Sequence, residues 1–307
     1  MSENLSRKVR AYFAPVNRAS NEPTVFDPAC EFDFDEPAAP WLSAGEIREL
    51  KRSSATKFGV VACGAKGAAS GQFRNGLDAR VAFDFCEWGK LQMALSGGSQ
   101  HMNVLAEDAS STAAMSGGTA SLAVAVLSGS SATELVLGVG AVDAFNAGDI
   151  VAVDVDYAQQ SGYVGTPIAG AWVKDPADVK RDRDYLRRVT FNVARVQEKT
   201  ASTLLLDRAL PGGAPAESAS VQKVVAFADR EGGSFFQEWS GLFLVEAEEG
   251  GSLCFYYPRL QAATPASEVA SRFDSFAVNR LHAEFVALPV KDEVDGETVV
   301  CVRSWRP

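Results

Sequence analysis

Apolar and polar residues alternate with a period of two in short segments almost from the start of the chain, and Gly, Pro and Asp bound the segments. That period places alternate side chains on opposite faces of a strand. In EFDFD at 31–35, Phe32 and Phe34 take one face and Asp33 and Asp35 the other; in RVAFDF at 80–85, Val81, Phe83 and Phe85 oppose Asp84. One dry face and one wet face is the pattern of antiparallel sheet. A single helix interrupts it. EWGKLQMALSGG at 87–98 sets Trp88, Leu91 and Leu95 at helical spacing and stops at Gly97 and Gly98, where a glycine accepts the left-handed backbone of a helix end. Met and Trp on such a stripe belong to core packing.

From 106 to 134 the chain turns small and polar, with bulk only around Leu122 to Leu127. This predicts a long excursion carrying one strand. A second strand-rich region follows. Val151, Val153, Val155 and Tyr157 line one face of FNAGDIVAVDVDY, and strands are predicted around 189–193, 203–207 and 220–227. Four strands with polar turns suggest a small β-barrel inserted as its own unit over 143–230. The flanks, 1–142 and 231–307, then form one discontinuous domain. In its second half, SFFQEWSGLFLVEAEEGG and SLCFYYPRL read as strands joined by a Glu-Gly-Gly turn. A closing hairpin folds about KDEVDG, where Asp295-Gly296 supplies the tight reversal. The fold class is therefore all-β with one flanking helix, a β-sandwich or barrel carrying an inserted barrel.

With 307 residues, 47% of them hydrophobic, the chain buries a real core without staples. No apolar run reaches eighteen residues, and the opening MSENLSRKVRAYF carries charges where a secretion signal needs an apolar stretch. The expectation is a soluble protein made in the cytosol. Cys30, Cys63, Cys86, Cys254 and Cys301 are odd in number and show no C-x-x-C spacing, and only His101 and His282 are present to complete a zinc site. They are read as free thiols. The net charge of −10 repels polyanions unless a basic stripe exists. The best runs, IRELKR at 47–52 and VKRDRDYLRR at 179–188, are broken by Glu or Asp and read as solvated faces.

Asp154 and Asp156 emerge on the same face of one strand, roughly 6.5–7 Å apart, a spacing open to a carboxylate pair or a Ca²⁺ edge. Alternation already accounts for them, so they are assigned to the solvent face. Asp175, Asp178, Asp182 and Asp184 form an acidic loop without EF-hand order, neutralised in part by Lys180, Arg181 and Arg183. Lys66 in the glycine-rich stretch 62–76 lacks the P-loop pattern, and a strand rather than a helix follows it. That stretch reads as a flexible loop able to order against a neighbouring subunit. No hydrolase, zinc-protease or dinucleotide motif is present. No catalytic residue, metal or cofactor is assigned, and no enzymatic activity is expected.

Three segments together, VRAYFAPV at 9–16, ARVAFDFCEWGKLQMALSGG at 79–98 and SLCFYYPRLQ at 252–261, resemble phage major tail proteins, the tail-tube family. The likeness covers the first hundred residues and about 234–307. It implies a β-sandwich with a flanking helix whose copies join into rings, the rings stacking into a hollow tube of the virion tail through which DNA passes without specific binding. The implied partners are copies of the chain itself and other tail components, with no membrane; the inserted barrel would decorate the outside. An acidic subunit suits a channel that does not grip DNA, since phosphate binding needs Lys and Arg to displace counterions. Contact regions are expected at Ser2 to Val16, at Pro37 to Gly76 and in the C-terminal hairpin. Two other readings stay open. One is a surface-binding β module for carbohydrate or host attachment, with Trp172 or Tyr163 as a stacking platform; the other is a hydrolase using Asp154 and Asp156.

Overall fold

A computed structural model describes residues 5–16, 22–29, 32–62, 69–98, 100–106, 121–153, 190–217, 219–230, 238–247, 251–263, 267–273, 276–292 and 294–306. The chain is mostly antiparallel sheet. The larger sheet is built from β1 (Leu5–Pro15), β2 (Leu42–Ala62), β3 (Ala69–Phe85), β11 (Glu238–Ala247), β12 (Ser252–Ala262), β13 (Ser267–Phe273), β14 (Phe276–Ala287) and β17 (Val302–Arg306). Its order is β13-β14-β3-β2-β1-β11-β12-β17, and β14 also bonds to β12 through Leu260–Ala262 against Phe285–Ala287. That last ladder closes β14, β3, β2, β1, β11 and β12 into a barrel. The two ends of the chain thus complete one sheet.

The barrel is filled by the inward-facing positions of its staves. Phe13, Phe83, Phe85, Phe243 and Phe285 are buried, with Phe13 edge-on to Phe243 at 5.7 Å and Phe83 stacked on Phe285 at 6.0 Å. Such ring pairs add to the stabilisation from area burial alone. Gly241 faces this interior without a side chain, because a Cβ there would lie 2.5 Å from Leu260 Cδ1. The outer face of β1, β11 and β12 is dry as well. Tyr12, Leu242, Leu244 and Tyr256 are covered by Phe26, Phe32, Phe34 and Trp41 of the segment before β2. Strands buried on both faces read as nearly continuous apolar runs, as RAYFAP and GLFLV do.

That covering segment contains the EFDFD stretch, and here the strand expectation fails. Residues 34–36 bend instead, because the Asp33 carboxylate takes the backbone N–H of Asp35 and Glu36 at 2.8 and 2.9 Å; an aspartate offering a local acceptor competes with a ladder. Phe32 and Phe34 still pack inward, and the Tyr12 hydroxyl donates to the Phe34 carbonyl at 2.7 Å.

The helix, α1 (Lys90–Gly97), ends at Gly98 with φ 53, the left-handed stop that the two glycines predict. Leu95 enters the barrel core, while Trp88 precedes the helix and is 44% exposed, so it is not part of the core stripe.

A second sheet comprises β4 (Gln100–Leu105), β5 (Val124–Ala125), β6 (Glu134–Val136), β7 (Ile150–Val153), β8 (Val193–Lys199), β9 (Thr203–Leu206) and β10 (Ser220–Arg230), in the order β4-β10-β7-β8-β9-β6 with β5 on β10. Its own core gathers Leu135, Phe145, Val151, Val196, Leu204 and Val221. The pairing starts at Gln100, upstream of the boundary expected at 143, because β4 bonds along β10 from Arg230 to Val224. The low-complexity excursion hid that partnership, since β4 and β10 are more than a hundred residues apart in the chain. The closing hairpin is short: β15 (Val290–Lys291) pairs with β16 (Thr298–Val299), and Gly296 has φ 76.

Candidate assembly surface

β2 and β3 outrun the barrel. β1 accompanies β2 only as far as Ile47, and β14 accompanies β3 only from Arg80, yet the β2–β3 ladder continues from Arg52–Val81 out to Ala62–Ala69. Among the described residues the outer stretch pairs only with itself. Ser53 to Ala62 alone extends ~30 Å at ~3.3 Å per residue. Among the described residues no further strand is laddered onto either edge of this arm, which makes those edges a template for another strand.

Its side chains are also unusual for a surface. Thr56 lies opposite Leu77; past a register shift between Lys57 and Phe58, which brings Arg74 opposite Phe58, period two along β2 puts Phe58 and Val60 on the face of Thr56. Phe58, Val60 and Leu77 are 61%, 56% and 37% exposed, an apolar stripe facing solvent. From 50 to 77 the chain holds Lys51, Arg52, Lys57, Lys66 and Arg74 and no Asp or Glu, which leaves −15 on the rest of a chain whose net charge is −10. Reading IRELKR in isolation missed this polarity, because Glu49 closes that run; a scan for carboxylate-free windows finds it.

The root of the arm is clamped. Between Arg48–Asp84 and Lys51–Ala82 the β2 strand carries one extra residue, a bulge with Glu49 at φ 53. A bulge bends a strand and sharpens its twist, so the arm is redirected where it leaves the barrel. Glu49 accepts from Arg280 Nη2 at 3.0 Å, Arg280 Nε donates to Asp84, and His282 Nδ1 lies 2.7 Å from the other Asp84 oxygen. Asp84, expected on a wet face, is only 6% exposed beneath these partners. On the other side Arg52 Nε donates to the Tyr257 hydroxyl at 2.6 Å, with its guanidinium 3.9 Å from the Phe255 ring centroid. Burial pushes the Tyr257 phenol up to about 12, so it stays a neutral acceptor. The His282 ring bonds to Asp84 across the β3–β14 ladder, while the Ser96 hydroxyl donates to the His282 backbone carbonyl. The pair is a cross-strand clasp.

A cleft of about 870 Å³ opens between the two sheets, lined by Asp35, Trp41, Trp88, Leu91, Phe191 and Arg208 among others. At its floor Lys90 is buried, donating to Asn103 Oδ1 at 2.7 Å and to the Thr190 carbonyl. Its ammonium position is 4.5 Å from the Phe191 ring centroid and 5.8 Å from that of Phe227. Burial drives its pKa well below the ordinary lysine value, since a low-dielectric site disfavours the charged form. Lys90 thereby ties α1 to β4 and to the residues entering β8, joining the two sheets.

Asp154, Asp156, the acidic loop 175–184, Lys66, Trp172 and Tyr163 lie outside the described residues. His101 and His282 sit in different sheets and do not converge. Cys86, Cys254 and Cys301 are free thiols; burial raises the pKa of the last two and so suppresses the reactive thiolate. Among the described residues no group of three or more His, Cys, Asp or Glu is placed to hold a metal ion, and no helix is long and apolar enough to cross a membrane. Of the expected contact regions, 37–76 includes the arm, whereas β1 is an interior stave bonded on both edges, with Ala11 to Ala14 at 0% exposure. No protein-family model matches the chain, and no curated protein matches it.

Proposed function

We propose that this protein is a structural subunit that assembles with copies of itself into stacked rings around a channel, in the manner of a phage tail tube. The observation that carries the reading is the β2–β3 arm, whose edges pair with no further strand among the described residues and which exposes a Phe58–Val60–Leu77 stripe. A monomer gains nothing from either feature. A neighbouring copy satisfies both, by strand addition along an edge and by burying the stripe. Head-to-tail contacts of this kind close into rings or run on as filaments, according to the rotation they impose. The strongly acidic remainder of the chain suits a channel wall that lets DNA pass without holding it. Deleting residues 60–75 tests the reading: a folded monomer that no longer forms tubes is the expected result, and intact tubes after the deletion refute it.

A second reading rests on the cleft, where Trp88 is 44% exposed beside Trp41 and Asp35. An indole at the mouth of a cleft offers a stacking face for a sugar ring. A glycan array separates the two: selective binding abolished by Trp88→Ala favours a recognition module.

A further inference from the structure

The arm has a charge counterpart elsewhere in the chain. Between residues 19 and 47 there are seven carboxylates and no Lys or Arg, and after Arg48 and Glu49 comes the carboxylate-free run 50–77, which contains the strands of the arm. The acidic block is not a loose tether. Phe26, Phe32, Phe34 and Trp41 root it on the outer face of the barrel, and the Tyr256 hydroxyl donates to the Thr24 carbonyl at 2.8 Å. Asp33 and Glu36 are exposed on it and make no ion pair among the described residues, while Asp35 is partnered by Arg10 at 2.7 Å. Backbone N–H donors hold the Asp33 carboxyl below its usual range, so it remains ionised. On the arm, Lys57 is exposed and likewise has no ion pair among the described residues. The arm leaves the barrel fixed at its root, and among the described residues no ion pair connects it to the acidic block of its own chain.

We infer that the arm of one copy docks on the acid-rich segment 22–41 of a second copy, its Lys57 meeting Asp33 and Glu36 while the Phe58–Val60–Leu77 stripe is covered by the same neighbour. This rests on the self-assembly reading and names the surfaces that meet. A protein occupant is favoured over nucleic acid because phosphate contacts would neutralise the cations and leave the stripe wet, and because the −15 carried by the rest of the chain repels a polyanion. Complementary potentials also fix which surfaces pair and speed their encounter.

The experiment is a charge swap on the full-length protein, read as the critical concentration for assembly by light scattering, with circular dichroism to show that each variant is folded. Lys57→Glu alone, and Glu36→Lys alone, should each raise the critical concentration about tenfold or more at low salt. Both substitutions in one chain should bring it back to within about threefold of wild type, and added NaCl should flatten the differences. Wild-type protein that never assembles would overturn the self-assembly reading itself. Wild-type assembly that Lys57→Glu leaves unchanged, or that the Lys57→Glu, Glu36→Lys double variant fails to recover, overturns the docking while leaving self-assembly standing. Duplex DNA bound by wild type and lost in Lys57→Glu, with assembly unaffected, would assign the arm to nucleic acid instead.

Discussion

Replacing Lys90 with Met removes an amine from the junction of the two sheets while keeping the length of the side chain. Two effects oppose each other at neutral pH. Asn103 Oδ1 loses its 2.7 Å donor, and losing a hydrogen bond at a buried polar group costs about 1–3 kcal/mol. Against that, the cost of keeping a lysine away from water disappears. The pH dependence isolates the second effect. Below the folded-state pKa of Lys90, which burial sets well under the ordinary value, folded and unfolded chains both carry the proton and the cost is fully present. Between that pKa and about 10.4 only the unfolded chain is protonated, so raising the pH favours the folded state by about 1.4 kcal/mol per unit. Urea unfolding of dilute protein, followed by tryptophan fluorescence, reads this directly, since Trp239 is 1% exposed and packs on Phe191 beside the lysine. Wild type should gain on Lys90→Met as pH rises toward 10. Above pH 10 both proteins should weaken together, because burial pushes the phenols of Tyr12, Tyr256 and Tyr257 up to about 12 and unfolding releases their protons. A stability difference that stays flat from pH 7 to 10 would show that Lys90 titrates as it does in water, and the junction argument would fall.

Two substitutions probe the fold on which the arm stands. Gly98→Ala places a Cβ 2.5 Å from that of Ala262 on a residue at φ 53, so a loss of roughly 2–4 kcal/mol is expected in the same urea assay; a neutral result would mean that the helix end can shift away from β12. Phe83→Ala opens the centre of the barrel, where the ring meets Phe13, Phe85, Phe243 and Phe285, and should cost ~3–5 kcal/mol, whereas a change under ~1 kcal/mol would argue against a packed interior.

The staves of the barrel were legible because alternation and burial agree: Val81, Phe83 and Phe85 do face inward, and SLCFYYPRL is β12. EFDFD shows the limit of that signal. The same alternation serves a bent segment when an aspartate can satisfy nearby backbone N–H groups, and the phenylalanines still reach a core. The closure of β14 onto β12 and the pairing of β4 with β10 depend on contacts between distant segments, which no local pattern encodes. The arm was half visible. Glycine content at 62–76 pointed to a loop, yet most of that stretch continues a ladder, with Gly71 and Gly76 inside β3. Length of the ladder, not composition, makes it project. Lys90 was legible only as one more helix residue, since nothing in KLQMALSG announces that Asn103 and the Thr190 carbonyl will meet its amine.

Negative-stain electron microscopy of the purified full-length protein over a range of concentrations tests the central claim most directly. The account predicts hollow tubes of stacked rings above a threshold concentration, and their loss when residues 60–75 are removed from a chain that still folds. Single, monodisperse particles at every concentration would contradict it.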